Sequence, residues 1–578
     1  MTLHLYSFFH LNLAFSSIEE EARSEVINRC YWPLLRLIRE QQLSIGIEAS
    51  GYTLEEIQRL DSDWVTELRY LCNLGLVEFI GSGYSQTIGP LVPAQVNRAN
   101  QRIGLEVYEG LLGFRPELVL VNEQAYSAGL VPIYRETGYK ALIMEWDNPA
   151  ANNPQWQSQW RYFPQYACGA DGSVLPLIWN KSIPFQKFQR YAHAEMELSE
   201  YLEFLQSRIG NEERTFALYG NDVEIFDFRP GRFKTEAAQN QQSEWERIAR
   251  LYEALQADER FNLIKPGQVL DFLEHPDAGQ RLHLESACQP VPVKKQAKYN
   301  LTRWAVTGEH DLHINTRCWQ LYQTLLQQPA NDEQWRELCY LWSSDFRTHI
   351  TSTRLQNYLK RLDGFAGTIN AGDEPVVDAP ASGKKKGQEF SVKRQGNLLL
   401  VESAHLKAEL NCRRGLSIQS LTFPKVSNLP LCGTLPHGYF DDISLGADFF
   451  SGHLVLELPG QPKITDLEPV EPDITLDKGG ASLVITGSIQ TSMGLITKTL
   501  RFGCDDQGEP FVTIAYRICW QQRPMGSLRL GAVTLNPEAF DLRSLYYATH
   551  NGGGGLEYFS IDGAAINHGA PASFLVSA

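Results

Sequence analysis

The stretch LYGNDVEIFDFRPG, residues 218–231, places Asp222, Glu224 and Asp227 within six residues, directly after a run with strand character. Three carboxylates do not suit a buried strand, where an unpaired charge is costly. They fit a strand end that faces solvent or substrate. A solvated loop, a metal site and half of an acid/base pair are the readings open to such a stretch. A second carboxylate, Glu123 in VLVNEQAYS, ends another apolar run and is followed by small and aromatic residues. Two carboxylates on opposite rims of one mouth suit glycosidic cleavage. One attacks the anomeric carbon and the other protonates the leaving oxygen, at a separation of about 5–5.5 Å where configuration is retained. Carboxylates at strand ends also cap helices, so spacing alone leaves both readings open.

To face each other, these groups need strands that end at a common rim. The first 280 residues alternate short apolar runs with helical patterns. Strands are expected at 3–11, 43–49, 75–81, 118–123, 141–146, 175–180 and 215–220. Between them lie amphipathic helices, such as the one marked by Trp245, Ile248, Ala249 and Tyr252 at i, i+3, i+4, i+7. Strand–helix alternation implies a parallel sheet with crossovers, and seven repeats favour a closed or nearly closed α/β barrel. Chemistry in such barrels sits at the C-terminal strand ends. The polar residues expected there are His10 and Asn12 on strand 1, Glu78 on strand 3, Glu123 on strand 4, and Asp222 and Glu224 on strand 7.

The period changes twice further on. Residues 291–365 carry three helical stripes: Cys318, Leu321, Tyr322, Leu325 and Leu326; Trp335, Leu338, Cys339 and Trp342; Leu355, Tyr358, Leu359 and Leu362. A small helical bundle accounts for them. Residues 366–388, rich in Gly, Pro, Ala and charge, read as a linker. Residues 389–578 alternate with period two between turn residues, as an antiparallel β sandwich does. The domain boundaries expected are therefore 1–290, 291–365, 366–388 and 389–578.

Composition narrows the partners. A net charge of −16 argues against nucleic acid or an anionic membrane, which reward clustered Lys and Arg. The ten scattered cysteines form no CxxC pair, so buried free thiols in a reducing compartment are expected. The N-terminus has no basic region or small-residue cleavage site and reads as a first strand, and no run approaches a membrane span. A cytoplasmic protein is expected.

Four segments then resemble glycoside hydrolase family 57, the α-glucan-active family with an incomplete (β/α)7 barrel. FFHLNLA stands where the family has His-x-His-(Gln/Leu)-Pro, so His10 matches the first His. GLVEFIGSGYSQTIGPLVP is similar to Gly-x-x-Glu followed by Tyr-Tyr-His-x-Ile-x-Pro-Leu, matching Glu78 and Tyr84. LVNEQAYS resembles Trp-x-Pro-Glu-x-Ala-Tyr, the nucleophile motif, which places the nucleophile on Glu123 and the tyrosine on Tyr126. YGNDVEIFD resembles Asp-x-Glu-x-Phe-Gly, whose Asp is the acid/base, on Asp222. NLTRWAVTG, with Trp304, and LWSSDF, with Asp345, are similar to less regular helical-region motifs. The departures are Asn12 for the second His, Ala14 for Pro, Gln86 for a His, Asn122 for Pro and Asp227 for Gly. They fall on the sugar-contacting shell and leave substrate and linkage open.

The resemblance implies a retaining hydrolase or transglycosylase of α-glucans or α-glycosides, of α-amylase or 4-α-glucanotransferase type, acting on an oligo- or polysaccharide without a cofactor. The alternative is a catalytically weak carbohydrate-binding or regulatory protein on the same scaffold. His10 would donate to a sugar hydroxyl, or be a core histidine. Glu78 would hold a hydroxyl, orient His10, or form a structural salt bridge. Glu224 would stand behind the catalytic pair, and Trp146 would be a stacking platform or a buried residue. Asp345 would reach the site, cap a helix, or pair with Arg347 or Arg303. Asp227 is expected to pair with Arg229 or Arg232. Zinc-dependent α-mannosidases share the domain order but use a His-x-Asp ligand pair where this chain has His10-Leu11-Asn12, so no metal is expected. The dense loop 437–453, with His437, Asp441 and Asp448, would help build the cleft or form a solvated turn.

Overall fold

The computed structural model describes residues 1–230, 243–294, 301–306, 308, 310–327, 329–347, 349–369, 390–435, 449–477, 482–505, 507–521, 526–562 and 566. All seven expected strands are among them: β1 (Leu3–Leu11), β2 (Ile45–Ala49), β3 (Val77–Gly81), β4 (Leu118–Leu120), β5 (Ala141–Glu145), β7 (Val174–Asn180) and β8 (Arg214–Asp222). Three short strands join them: β6 (Gln165–Cys168), β9 (Phe261–Ile264) and β10 (Arg281–Leu282). The hydrogen-bonded order is β10-β6-β7-β5-β4-β3-β2-β1-β8, with β9 added to the start of β1. Neighbouring strands run parallel except β6 with β7.

The strands are nearly continuous apolar runs because both faces are covered. Tyr6, Phe8, Ile80, Leu118, Leu120, Ile143, Ile178 and Ala217 pack in one buried cluster, while Leu5, Phe9, Ile47, Phe79, Val119 and Leu142 pack in another with the surrounding helices. Among the described residues the ladder does not close between β7 and β8. Asn180 Nδ2 bridges the two strands instead, donating to the Gly220 carbonyl at 2.9 Å. A Cβ on Gly220 would lie 2.4 Å from Asn180 Oδ1, so glycine is what lets these strands approach. The sheet is a curled, mostly parallel, incomplete barrel.

Helices Asp311–Leu326, Asp332–Leu341 and Ser352–Thr368 bury Cys318, Leu321, Leu338, Cys339, Tyr358 and Leu362 together with Tyr84, Val96 and Ile103 of the barrel region. The chain divides into two compact units. One holds Met1–Pro375 and also Tyr547–Phe559, a stretch expected from sequence to lie in the sandwich. The other holds Val376–Tyr546. In that second unit a five-stranded antiparallel sheet (Ser391–Gly433) and a four-stranded one (Asp473–Trp520) share a core of Leu399, Val401, Leu410, Ile418, Ile485, Leu500 and Phe502. Leu483–Thr491 alternates buried and more exposed residues, as a strand with one covered face does. No described helix is long and apolar enough to cross a membrane.

Candidate active site

Register brings the first group of side chains together. β1 lies between β2 and β8, and His10 is the Cα partner of Glu48 on one side and of Asp222 on the other. His10 Nδ1 pairs with Glu48, which is fully buried, and His10 Nε2 lies 2.9 Å from the Gln86 amide. Burial opposes a charge on this ring, but Glu48 first, then Asp222 and Glu224, outweigh it and lift His10 to about 10. Gln86 Nε2 is the amide atom that faces His10 Nε2; an imidazolium, which donates from both nitrogens, requires this amide turned so that its oxygen faces the ring.

After β8 the chain turns sharply. Val223 N donates to the His10 carbonyl at 3.0 Å, and Tyr219 Oη donates to the Asp222 carbonyl at 2.6 Å. Glu224 is buried. Its Oε1 accepts from Asn12 N at 2.7 Å and from Tyr31 Oη at 2.6 Å. Burial, reinforced by Asp222, pushes the Glu224 carboxyl above its ordinary value. Asn12 Nδ2 donates to Asp345 at 2.7 Å, so the bundle residue reaches the site through Asn12.

Glu123 arrives from the other side of the sheet order, with β3, β2 and β1 between β4 and β8. It has φ 50° and the next residue, Gln124, has φ 54°. Two consecutive left-handed non-glycine residues cost on the order of 1–2 kcal/mol each and need a surround that imposes them. That surround is present. Gln124 Nε2 donates to the Val121 carbonyl (3.1 Å), Asn122 Nδ2 to the Ser82 carbonyl (3.0 Å), and Tyr126 N to the Pro292 carbonyl (3.0 Å). Lys294 Nζ lies 2.5 Å from Glu123 Oε2. Burial works to raise this carboxyl, but Lys294, and after it Arg303, hold it below the ordinary carboxylate value.

These groups line one open cavity of about 250 Å³. His10, Asn12, Glu123, Asp222 and Glu224 share it with Gln86, Asn122, Asn180, Lys294 and Arg303, and with the rings of Phe8, Phe15 and Phe185. Glu145, at the end of β5, is a further wall residue. Its oxygens accept from Ser182 Oγ (2.8 Å) and Asn148 N (3.0 Å), and burial, then Asp147, push it up to about 8. A polar cleft with one carboxylate held ionised and further carboxylates in its wall can bind a polyhydroxylated ligand and carry out attack and proton transfer on it. Among the described residues no group of three or more His, Cys, Asp or Glu is arranged to hold a metal ion.

Several expected residues lie elsewhere. Glu78 is the second residue of β3, three residues before its C-terminal end at Gly81. It accepts from Gly267 N at 2.6 Å, and Glu48 takes the His10 contact. Tyr84 packs under the bundle, with the Arg336 guanidinium 4.7 Å from its ring. Tyr126 is buried and donates to the Cys168 carbonyl (3.0 Å), and Trp146 packs edge-on against Trp179. Trp304 is buried with Ile88, Ala125, Val291 and Val293. None of these five lines the cavity, because each ring or carboxylate has a packing or backbone partner below it. Asp227 does not take Arg229. It accepts from Glu244 N (2.8 Å) and Ser243 Oγ at the start of helix Glu244–Ala257, whose free N–H groups compete for it, and Arg229 pairs with Glu244 instead. Arg232, His437, Asp441 and Asp448 lie outside the described residues.

The residues of the site not anticipated include Glu48, buried behind His10, and the cavity residues Glu145, Lys294 and Arg303. Glu48 and Glu145 carried the same signal as Glu123, a carboxylate closing an apolar strand. Lys294 and Arg303 sit in segments without periodicity.

Residues 3–281, just under half of the chain, match the sequence profile of Glycosyl hydrolase family 57. An α-amylase of Pyrococcus furiosus is 24% identical over 43% of this chain and 36% of its own length. A 4-alpha-glucanotransferase of Thermococcus litoralis is 23% identical over 43% of this chain and 35% of its own. The match thus spans about a third of each of these relatives. In three dimensions the crystal structure of a 4-alpha-glucanotransferase from Thermococcus litoralis superposes with a TM-score of 0.50 at 14% identity, over 87% of this chain and 85% of that one. An alpha-mannosidase from Enterococcus faecalis superposes with a TM-score of 0.54 at 9% identity, over 89% and 73%. Those two likenesses concern the fold. The sequence match covers β1 to the start of β10, the stretch that carries His10, Glu123 and Asp222, and over that stretch the chain is similar to glycosyl hydrolase family 57.

Proposed function

We propose that this protein is a retaining α-glucan hydrolase or glucanotransferase, with Glu123 as nucleophile and Asp222 as acid/base. The observation that carries the reading is the state of Glu123. It stands on a strained turn, in the same cavity as Asp222, with Lys294 and Arg303 holding it ionised. An ionised carboxylate attacks the anomeric carbon and forms a glycosyl-enzyme. Asp222 gives its proton to the leaving oxygen, then takes one from the incoming water or sugar hydroxyl. His10, paired with Glu48 and Gln86, places a positive charge in the cavity wall beside the sugar, and Asn12, kept in place by Glu224 and Asp345, adds an amide. The named activities of the relatives, α-amylase and 4-alpha-glucanotransferase, supply the substrate class.

The test is incubation with a panel of α-glucans and aryl α-glycosides, with products read by mass and anomeric configuration by NMR. Products of retained configuration are expected, and longer as well as shorter chains mark transfer. Inverted products would refute the nucleophilic role of Glu123. Binding without turnover would identify the carbohydrate-binding alternative.

A further inference from the structure

Residues 546–560 follow the sandwich strands in sequence, yet Tyr547–Phe559 cluster with the barrel unit. They form a two-stranded ribbon, Tyr546–Thr549 with Glu557–Ser560, joined through Asn551-Gly552-Gly553-Gly554-Gly555. The barrel-side contacts of this arm fall on three segments. On the Glu123 segment, Ser127 Oγ donates to the Asn551 carbonyl at 2.6 Å and Gly129 N to Glu557 Oε1 at 2.9 Å. On the Gln86 segment, Asn97 Nδ2 donates to both the Gly89 and Gly552 carbonyls, each at 2.9 Å. On the segment that ends in Lys294, the Ala287 carbonyl accepts from Tyr547 Oη at 2.7 Å. These segments deliver cavity residues: Asn122, Glu123 and Gln124 from the first, Gln86 from the second and Lys294 from the third.

The contact is close and specific. A Cβ on Gly553 would lie 2.6 Å from the Gly129 Cα, and one on Gly129 would lie 2.7 Å from the Gly553 Cα, so neither position admits a side chain. Asn551 and Glu557 are both buried, and Asn551 Nδ2 donates to Glu557 Oε2 at 3.2 Å, which ties the loop to its own second strand. No residue of the arm lines the cavity. The turn at Glu123 is strained and persists only where its surround imposes it. Part of that surround is the arm, four to six residues downstream.

We propose that this C-terminal arm is a positioning element of the active site, bracing the Gln86, Glu123 and Lys294 segments together and so setting the aim of Glu123. The inference rests on the proposed role of Glu123. It accounts for a glycine run that neither the barrel nor the sandwich pattern explains.

The test uses the full chain with Gly553→Val, Glu557→Ala and Glu557→Gln. A glutamine amide oxygen at this position can still accept from Gly129 N, whereas an alanine side chain cannot. Loss of the brace should lower kcat on α-glucan about tenfold or more in Gly553→Val and Glu557→Ala, and shift KM much less, because the arm touches no substrate-facing side chain. Glu557→Gln should restore most of kcat. Amide hydrogen exchange at Ser127–Leu130 should quicken in the two damaging variants while helix Ala94–Leu112 keeps its protection. Faster exchange with unchanged kcat would overturn the positioning role, and unchanged exchange would overturn the bracing itself. A wild-type chain inactive on every α-glucan would instead sink the functional reading, and exchange would then decide the bracing alone.

Discussion

Replacing Lys294 by Met removes the nearest cation from Glu123 while keeping an unbranched side chain of similar length. The ammonium is 2.5 Å from Glu123 Oε2, and the two side chains are 33% and 23% exposed. At that distance two unit charges interact by about 2 kcal/mol in a water-like medium and by about 3 kcal/mol where the effective dielectric is half as large. Partial exposure favours the lower figure. Loss of Lys294 should therefore raise the Glu123 carboxyl. The sign follows from the role. Glu123 attacks as an anion, Lys294 keeps it anionic at lower pH, and without Lys294 protonation sets in at higher pH. The acid limb of the kcat/KM profile, which reports the free enzyme, should therefore move to higher pH, with activity recovering on the alkaline side. Below the limb the loss should be about ten- to hundredfold, following the lost interaction. Lys294→Arg should leave the limb close to its wild-type position. A limb that does not move in Lys294→Met refutes the electrostatic role, and a loss that is uniform in pH shows that Lys294 serves substrate contact instead.

Glu123→Gln should lower turnover by orders of magnitude with the thermal unfolding transition retained, since the amide keeps the shape but cannot form the glycosyl-enzyme. Asp222→Asn should damage substrates with poor leaving groups far more than activated aryl glycosides, which need no proton; equal loss on both kinds would make Asp222 structural. Burial opposes ionisation of Glu244, but Arg229 and His193 hold it at about 2. Its contribution to stability is complete above the ordinary carboxylate value and is lost as pH falls from there towards 2, so urea midpoints of wild type and Glu244→Gln should converge on acidification. Asp227→Ala, which removes the acceptor for Glu244 N, should cost about 1 kcal/mol in chemical denaturation.

The barrel was legible because parallel strands covered on both faces must be apolar runs, and runs of that kind separated by helical periods have few other readings. The rule that polar residues closing such runs face the mouth placed His10, Asn12, Glu123, Asp222 and Glu224 on the cavity wall. It does not hold for Glu78, which both the expected strand 75–81 and the observed β3 place three residues before the C-terminal end at Gly81. At β3 the true start is Val77, and Glu78 lies low in the barrel against Gly267. Aromatic residues were the weaker guide. Tyr84, Tyr126, Trp146 and Trp304 lie in or beside the expected motifs, but a ring near a strand end can turn towards the substrate or towards the covering helices, and all four are buried. Type and position do not decide between those rotamers; the volume left by neighbours does.

What stayed hidden has a common cause. Lys294 meets Glu123 across 171 residues, and Asn551 meets Ser127 across 424. Neither Lys294 nor the glycine run of the arm belongs to a periodic element, so nothing local marks them as part of a site. Hydrophobic periodicity reports which side chains a segment buries, and it is silent on which segment a loop will touch. Glu48 shows the opposite case. It closes a clean apolar run, as Glu123 does, and the same rule would have selected it; the sequence motif around Glu78 drew the assignment away. His10 decides the matter physically. A buried imidazole between Asp222 and Glu224 needs a partner for Nδ1, and the register of β1 with β2 puts Glu48, one strand over, directly beside it.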